Sequence, residues 1–420
     1  MTSSNTQTLN KIGFYIWSLI LFSAIAMPSG NLMGAPYRLL LLVTVLALIT
    51  PALIASIRQW WNSVFILWLS VVLLFFVLQA INGLQAYPAL DVIIDLKLWL
   101  TLTVFVFLTW WFLRPKNLVT DCNATVMFKA LLAGAVVFML WKLGLYLLSI
   151  ISPQSFPLIA QKWFAYTQYQ PVTWPISIGG LRINYINHDF IVLVIAAVLG
   201  FYRTQFSTRF TVFLWLLVIV TEFIAYSRVM LALTLIALLW RFWQILQNTP
   251  YKKQVILTVI TITALAILIN YAAIAAIIQQ RFIAYNLSDL IRQQTTESLL
   301  NWSQLAPWIG HGMGSHVYGF VRDTSLAISY EPQLITLITR FGWLVPLLVC
   351  LMAIFFYNRF LQASQKKAPF FLQKHITLSL ILVVWLSLSL TNQYLLGSTS
   401  AVLLVLFWLL FPEQKNFKIS

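Results

Sequence analysis

Apolar runs long enough to cross a bilayer recur along the whole chain, and this repetition restricts the fold more than any other feature. Crossing about 30 Å of hydrocarbon takes roughly 20 apolar residues at about 1.5 Å each. Within lipid the backbone must satisfy its own hydrogen bonds, so runs of this length are read as helices. They fall at 12–27, 37–57, 62–82, 92–113, 127–151, 183–202, 254–278, 332–357, 376–390 and 394–411. The stretch 209–246 is too long for one crossing, and its polar break EFIAYSR divides it in two. The expectation is an all-α polytopic membrane protein of about 12 transmembrane helices, one integral membrane domain over 1–420. The first run could pass for a signal peptide. It lacks a small-x-small exit and is followed by further spans, so it is read as a span.

Composition agrees. The chain is 61% hydrophobic and 9% charged, with mean hydropathy +0.87, whereas soluble chains carry about 25% charged residues. Eighteen Trp and sixteen Tyr suit interfacial belts. A net charge of +16 does not imply nucleic acid. There is no long basic run, and basic residues at the cytoplasmic ends of spans give the same total. Cys122 and Cys350 form no CxxC motif, and no metal-ligand spacing is present.

Lys and Arg set the expected orientation. With the N-terminus inside, the inside segments hold Lys11, Arg58, Arg114, Lys116, Arg203, Arg209, Lys252, Lys253, Arg359, Lys366, Lys367, Lys374, Lys415 and Lys418. The short outside turns near Gly30, Gly83 and Asn392 hold almost none, Arg38 being the exception. Two long polar segments, at 152–182 and 279–330, then face the outer side together with EFIAYSR. The second is a helical segment between the ninth and tenth spans, and it is where chemistry would sit. With the start of the tenth span it holds Arg281, Arg292, Arg322, Arg340, His311, His316, Asp289, Glu297, Asp323 and Glu331.

Three constellations share that side. GGLRINYINHDF carries Arg182, His188 and Asp189; EFIAYSR carries Glu222, Tyr226, Ser227 and Arg228; the third is the 279–330 segment itself. A single Arg at a helix mouth can simply snorkel to headgroups. Several converging from different spans point to an anion, because ionisable groups near hydrocarbon are costly and the guanidinium fork suits phosphate. Arg281 and Arg292 are nearly three helical turns apart, so one helix would show both on one face. Leu287, Leu290, Ile291, Leu299, Trp302 and Leu305 form an apolar stripe, as for a helix lying in the membrane surface; packing on the bundle is the alternative. GHGMGS lacks a preceding strand and a following GK[ST], so it reads as a flexible turn allowing close backbone approach. Asp91 and Asp95 share a helix face and are expected to be solvated at the outer rim. Lys142 lies deeper, facing either a water-filled cavity or a phosphate.

The order of these motifs carries a resemblance. LRINYIN at a span mouth is followed by a paired span split at YSRVMLAL. RQQTTESLLNW then leads to GHGMGS, and YEPQLITLITRFGWL is a helix ending in a single Gly. Over roughly 180–347 this resembles the superfamily of bacterial O-antigen ligases and Wzy-type O-antigen or exopolysaccharide polymerases. The resemblance implies a membrane glycosyltransferase of the bacterial inner membrane, with its active side and both polar segments periplasmic. It would take glycan from an undecaprenyl-diphosphate carrier and pass it to an acceptor glycan or to lipid A core, with no metal, cofactor or nucleotide. Membrane lipids and a chain-length regulator protein are the other implied partners; nucleic acid is not one.

Residue by residue, the resemblance gives Arg182, Arg228 and Arg292 the carrier diphosphate, with Arg281 and Arg340 as further diphosphate-binding candidates. Ligases of that superfamily place a His-Asn pair eleven residues before the helix-ending Gly. Here Glu331 and Pro332 stand before Gly342 instead, which fits a polymerase better and keeps a base available. Glu331 is the first catalytic candidate, with His188 and His316, and also His311, as runners-up. A ligase is the alternative. A flippase for lipid-linked glycans is the rival from another class, although no matched halves of the kind transporters show are present.

Overall fold

The computed structural model describes residues 3–27, 35–56, 64–114, 123–154, 156–167, 172–175, 181–199, 207–225, 227–247, 287–317, 333–345 and 398–410, with isolated positions 32, 254, 261, 275, 279 and 330. The described chain is mostly helical. Its helices are α1 (Ser3–Ala26), α2 (Tyr37–Ala55), α3 (Val64–Leu84), α4 (Ala89–Leu113), α5 (Asn123–Ile151) and α6 (Phe156–Thr167), then α7 (Ile186–Leu199), α8 (Thr208–Ala225), α9 (Arg228–Gln247), α10 (Leu287–Ser303), α11 (Gln333–Phe341) and α12 (Ser398–Leu410). Strands β1 (Val172–Pro175) and β2 (Leu181–Asn184) lie between α6 and α7. Among the described residues, six helical stretches are long and apolar enough to cross a membrane: Asn5–Ala26, Tyr37–Ala55, Ile66–Leu84, Ala89–Leu113, Asn123–Ile151 and Thr208–Ala225. Along α3, Leu67, Val71, Leu74, Leu78 and Ile81 are exposed at helical spacing. A lipid-facing stripe has this form; an aqueous surface would not leave it bare.

The chain divides into two compact units, and α5 runs from one into the other at Leu131 and Leu132. In the first unit α4 is central. Phe105 packs edge-on against Trp17 and Phe112 against Phe14, both on α1. Trp111 Nε1 donates to Asn10 Oδ1 at 3.1 Å, and Asn123 Nδ2 donates to the Phe112 carbonyl at 2.7 Å. These polar contacts tie helix ends, while the apolar runs between them form the packed interior. Helix α12 also packs on α4, and α10 packs on α11. Arg38, the exception to the charge pattern, is buried and donates from Nη2 to the Ser23 carbonyl at 2.7 Å.

In the second unit α7 packs on α8, α9 packs on both, and β2 lies against α8. The 152–182 segment, expected as an outer loop, contains α6 and an antiparallel ribbon that pairs Val172 with Asn184 and Trp174 with Arg182. The described chain is helical apart from this two-stranded ribbon, which changes the start of the sixth span. Ile183, expected inside the sixth span, belongs to β2, and α7 starts at Ile186.

Two boundaries depend on single residues. Helix α8 ends at Ala225 and α9 starts at Arg228, within the EFIAYSR stretch expected to divide the run. Helix α11 is nine residues long and stops at Gly342, whose φ is +66°. At about 13.5 Å this helix alone does not cross a bilayer; the chain is helical again at 344–345, and the rest of the expected tenth span lies outside the described residues. The expected span at 376–390 lies outside the described residues, and of that at 254–278 only positions 254, 261 and 275 are described.

Candidate functional site

In the second unit, four ionisable side chains from four elements come together. Lys142 Nζ on α5 donates to Asp189 Oδ1 at 2.6 Å, and both side chains are fully buried. Asp189 Oδ2 accepts from the Tyr185 backbone N–H at 3.0 Å, so the same carboxylate holds the start of α7. Arg182 on β2 donates from Nε to the Ala225 carbonyl at the end of α8, at 2.8 Å. Both Lys142 and Arg182 lie within electrostatic reach of Asp189. Glu222 on α8 is 0% exposed and within electrostatic reach of Asp189 and Lys142. Neither of its carboxylate oxygens has a hydrogen-bond partner among the described residues. A buried carboxyl left without a donor is costly, which marks this place as built for more than packing.

The same unit holds two more of the expected residues. Arg228 opens α9, so its backbone sits at the positive end of a 20-residue helix. The Arg182 guanidinium is bound to the carbonyl of Ala225, just before that opening. His188 is 2% exposed, with its ring 5.2 Å from that of Phe138. It is packed in an aromatic wall rather than presented at a mouth.

In the first unit the Gly-rich turn is stitched to its surroundings. Gly310, Gly312 and Gly314 have φ of 73°, 87° and 76°, the left-handed region that only Gly adopts without strain. His311 N–H donates to the Thr339 carbonyl at 3.0 Å, Gly312 N–H to the Arg340 carbonyl at 2.8 Å and Met313 N–H to the Gln79 carbonyl at 3.1 Å. A Cβ on Gly312 would sit 2.6 Å from the Gly83 nitrogen. The close backbone approach read from GHGMGS is present, and it is made to the protein's own chain. The hydrogen bonds replace the expected flexibility with a fixed turn.

Asp95 completes that turn. It is fully buried, accepting from Arg340 Nη1 at 3.1 Å and from Gly314 N–H at 3.1 Å. Asp95 is therefore not solvated at a rim, and Arg340, a diphosphate candidate in the sequence, is 3% exposed and paired with it. His316 Nδ1 lies 3.4 Å from the Gly314 carbonyl and 4.0 Å from Asp91 Oδ2, with both side chains partly exposed. His311 stacks on Trp302 at 4.1 Å and its Nε2 meets the Trp302 carbonyl at 2.9 Å, a structural position. The Tyr330 hydroxyl accepts from Val317 N–H at 2.9 Å. Burial raises the Tyr330 phenol above its ordinary range, against the lowering effect of that bond and of nearby Arg340.

Arg292 is half-buried on α10. That helix packs on α11: Leu299 is buried with Tyr330 and Ile335, and Thr339 Oγ1 lies 3.3 Å from the Leu299 carbonyl. This is the packed alternative to a helix lying in the membrane surface. Arg281 and Glu331 lie outside the described residues, so one shared helix face for Arg281 and Arg292 is not described either.

The sequence reading missed the meeting of Lys142, Asp189 and Glu222, although it singled out each one. The available signal was an ionisable residue inside each of three apolar runs. No family model, curated protein or solved structure matches the chain.

Proposed function

We propose that this chain is a glycosyltransferase of the bacterial inner membrane, one that polymerises undecaprenyl-diphosphate-linked oligosaccharide units at the periplasmic face. One observation carries most weight beside the motif resemblance. Arg182 is fixed to the Ala225 carbonyl at 2.8 Å, immediately before the helix that Arg228 opens. Two arginines proposed for the diphosphate thus come from segments far apart in sequence to one helix N-terminus, where backbone N–H groups and the helix dipole also favour an anion.

The proposed chemistry needs little else. The acceptor hydroxyl oxygen attacks the anomeric carbon of the donor sugar, and the bond from that carbon to the diphosphate oxygen breaks. The diphosphate leaves with the bonding electron pair, already charged, and cations stabilise it without protonating it. The hydroxyl proton passes to a base, for which Glu331 is the candidate. It stands two positions ahead of α11 in the sequence.

Transport of the lipid-linked glycan is the second reading. The buried Lys142–Asp189 pair and Glu222 favour it, since such groups also line translocation paths. Deleting the protein and resolving the cell's surface glycan on a gel separates the readings. A polymerase leaves single repeat units on lipid A core. A ligase leaves the core bare with long chains on the carrier. A flippase leaves glycan length unchanged and traps carrier-linked units inside.

A further inference from the structure

Between Trp302 and His316 the chain leaves the level of the α3–α4 hairpin and returns to it. The ring of Tyr87, in that hairpin, lies 6.3 Å from the Trp302 ring and 5.6 Å from the His316 ring. In between, the chain is tied to positions further along α3. Met313 N–H donates to the Gln79 carbonyl at 3.1 Å, and Gln79 Nε2 donates to the Ile309 carbonyl at 3.1 Å. Gln79 stands five residues before Leu84, the end of α3, or about 7.5 Å along the axis. Trp343 N–H donates to the Pro307 carbonyl at 2.9 Å, and Gly342 packs on the Trp308 carbonyl. The ring of Phe341, next to Gly342, sits 5.7 Å from that of Phe75 on α3 and 5.4 Å from that of Trp99 on α4. Phe75 is nine residues before Leu84, about 13.5 Å, and Trp99 is ten residues after Ala89, about 15 Å.

We propose that residues 305–309 are a re-entrant tip seated in the bilayer leaflet at the hairpin end of α3 and α4, with Leu305, Trp308, Ile309 and Trp343 against lipid. Both helices are long and apolar enough to cross a membrane. Their exposed side chains next to the hairpin are apolar: Leu78, Ile81 and Leu84 on α3, Leu90 and Ile93 on α4. The tip therefore lies level with surface that already faces lipid. Lys97 is exposed eight residues into α4. Helical side chains tilt toward the helix start, so its long stem lets the amine reach back to the headgroups. The outer part of a leaflet is also where Trp is enriched. Polarity along the chain changes at the same place. Asn301 and Gln304 are exposed, and from Leu305 the exposed residues are Leu305, Pro307, Trp308 and Ile309. Trp308 is 72% exposed, and Trp343 and Leu344 add to the bare apolar surface.

Irregular backbone survives at membrane depth only where its polar groups are met by protein. The tip satisfies this on its inner side. Gly310 N–H donates to the Ala306 carbonyl at 3.0 Å and His311 N–H to the Thr339 carbonyl at 3.0 Å, while the Pro307 and Ile309 carbonyls accept from Trp343 and Gln79. Pro307 has no N–H to satisfy. The main chain thus faces protein, and the large apolar side chains are left facing outward. A second copy of the chain or another protein would also cover such a patch. The bilayer is favoured because the patch is level with the lipid-facing residues of α3 and α4. The proposal needs neither the glycosyl-transfer reading nor a particular sidedness.

The test uses the full chain in phosphatidylcholine nanodiscs, with Cys122 and Cys350 replaced and a nitroxide on one introduced cysteine at a time. Trp308→Cys and Ile309→Cys report the tip, Leu78→Cys the lipid-facing side of α3, and Gln304→Cys the polar approach to the tip. Collision of the nitroxide with oxygen, which concentrates in lipid, is compared with collision with a water-soluble nickel chelate. The oxygen-to-nickel ratio at both tip positions should match that at Leu78 and exceed that at Gln304 several-fold. A ratio at either tip position like that at Gln304 overturns the proposal in favour of an aqueous loop or cleft. Poor access of both reagents to the tip also overturns it, because protein then covers the patch. Melting temperature gives a label-free check. Trp308→Asp should lower it in nanodiscs by several degrees and Trp308→Phe should not, since a charge is costly in lipid and harmless on a wet surface. Equal melting temperatures for these two variants would contradict the lipid contact.

Discussion

Lys142 and Asp189 are 47 positions apart in sequence and 2.6 Å apart in space, with no solvent at either. Removing one charge leaves the other buried and uncompensated. Lys142→Ala should therefore destabilise the protein by about 3–5 kcal/mol, whereas Lys142→Met with Asp189→Leu should recover most of that loss. Thermal unfolding in detergent measures both, and a single variant as stable as the parent would remove the pair from the account. The sequence showed that each residue was anomalous but not what it faced. An ionisable side chain in an apolar run needs a partner, and nothing local names one. The same holds for Asp95, whose partner Arg340 lies 245 positions away. Asp91 and Asp95 looked equivalent in sequence, and distant partners alone made one structural and left the other open.

At the level of elements, much was legible because its causes are local. Apolar runs gave the first five helices, and the polar EFIAYSR break separated α8 from α9. The ribbon was not legible: four-residue strands among Pro and aromatics carry no clear period. The end of helix α11 was legible too, since YEPQLITLITRFGWL reads as a helix ending in a single Gly. The stop comes from a left-handed φ and from the fit of this glycine against the Trp308 carbonyl. Gly342→Ala adds both backbone strain and a collision with main chain, so it should cost more than about 2 kcal/mol. Gly144 is the control: it lies inside α5 with nothing near its missing Cβ. Gly144→Ala should leave stability unchanged or raise it by up to about 1 kcal/mol. Equal melting temperatures for the two variants would contradict this account of where α11 ends.

For the molecule as a whole, the membrane character follows from composition and from the six apolar helices, while sidedness rests on the Lys and Arg of the short loops. A cysteine at Gln304 tests sidedness, with Cys122 and Cys350 replaced. Gln304 is exposed, whereas neighbouring Ser303 is 7% exposed and would label poorly. A membrane-impermeant maleimide should reach it in cells whose outer membrane alone is opened. Labelling only after the inner membrane is breached would reverse the topology and remove the periplasmic mechanism. The central claim, a carrier diphosphate held by arginines while sugar is transferred, is tested most directly by reconstitution. The purified chain in nanodiscs receives undecaprenyl-diphosphate-linked repeat units, and the products are resolved by length. A ladder of polymer is expected from the parent. Arg182→Lys and Arg228→Lys should lose it, since Lys keeps the charge and lacks the guanidinium fork. A ladder of undiminished yield from both variants would contradict the role given to these arginines, and no ladder from the folded parent would contradict the function itself.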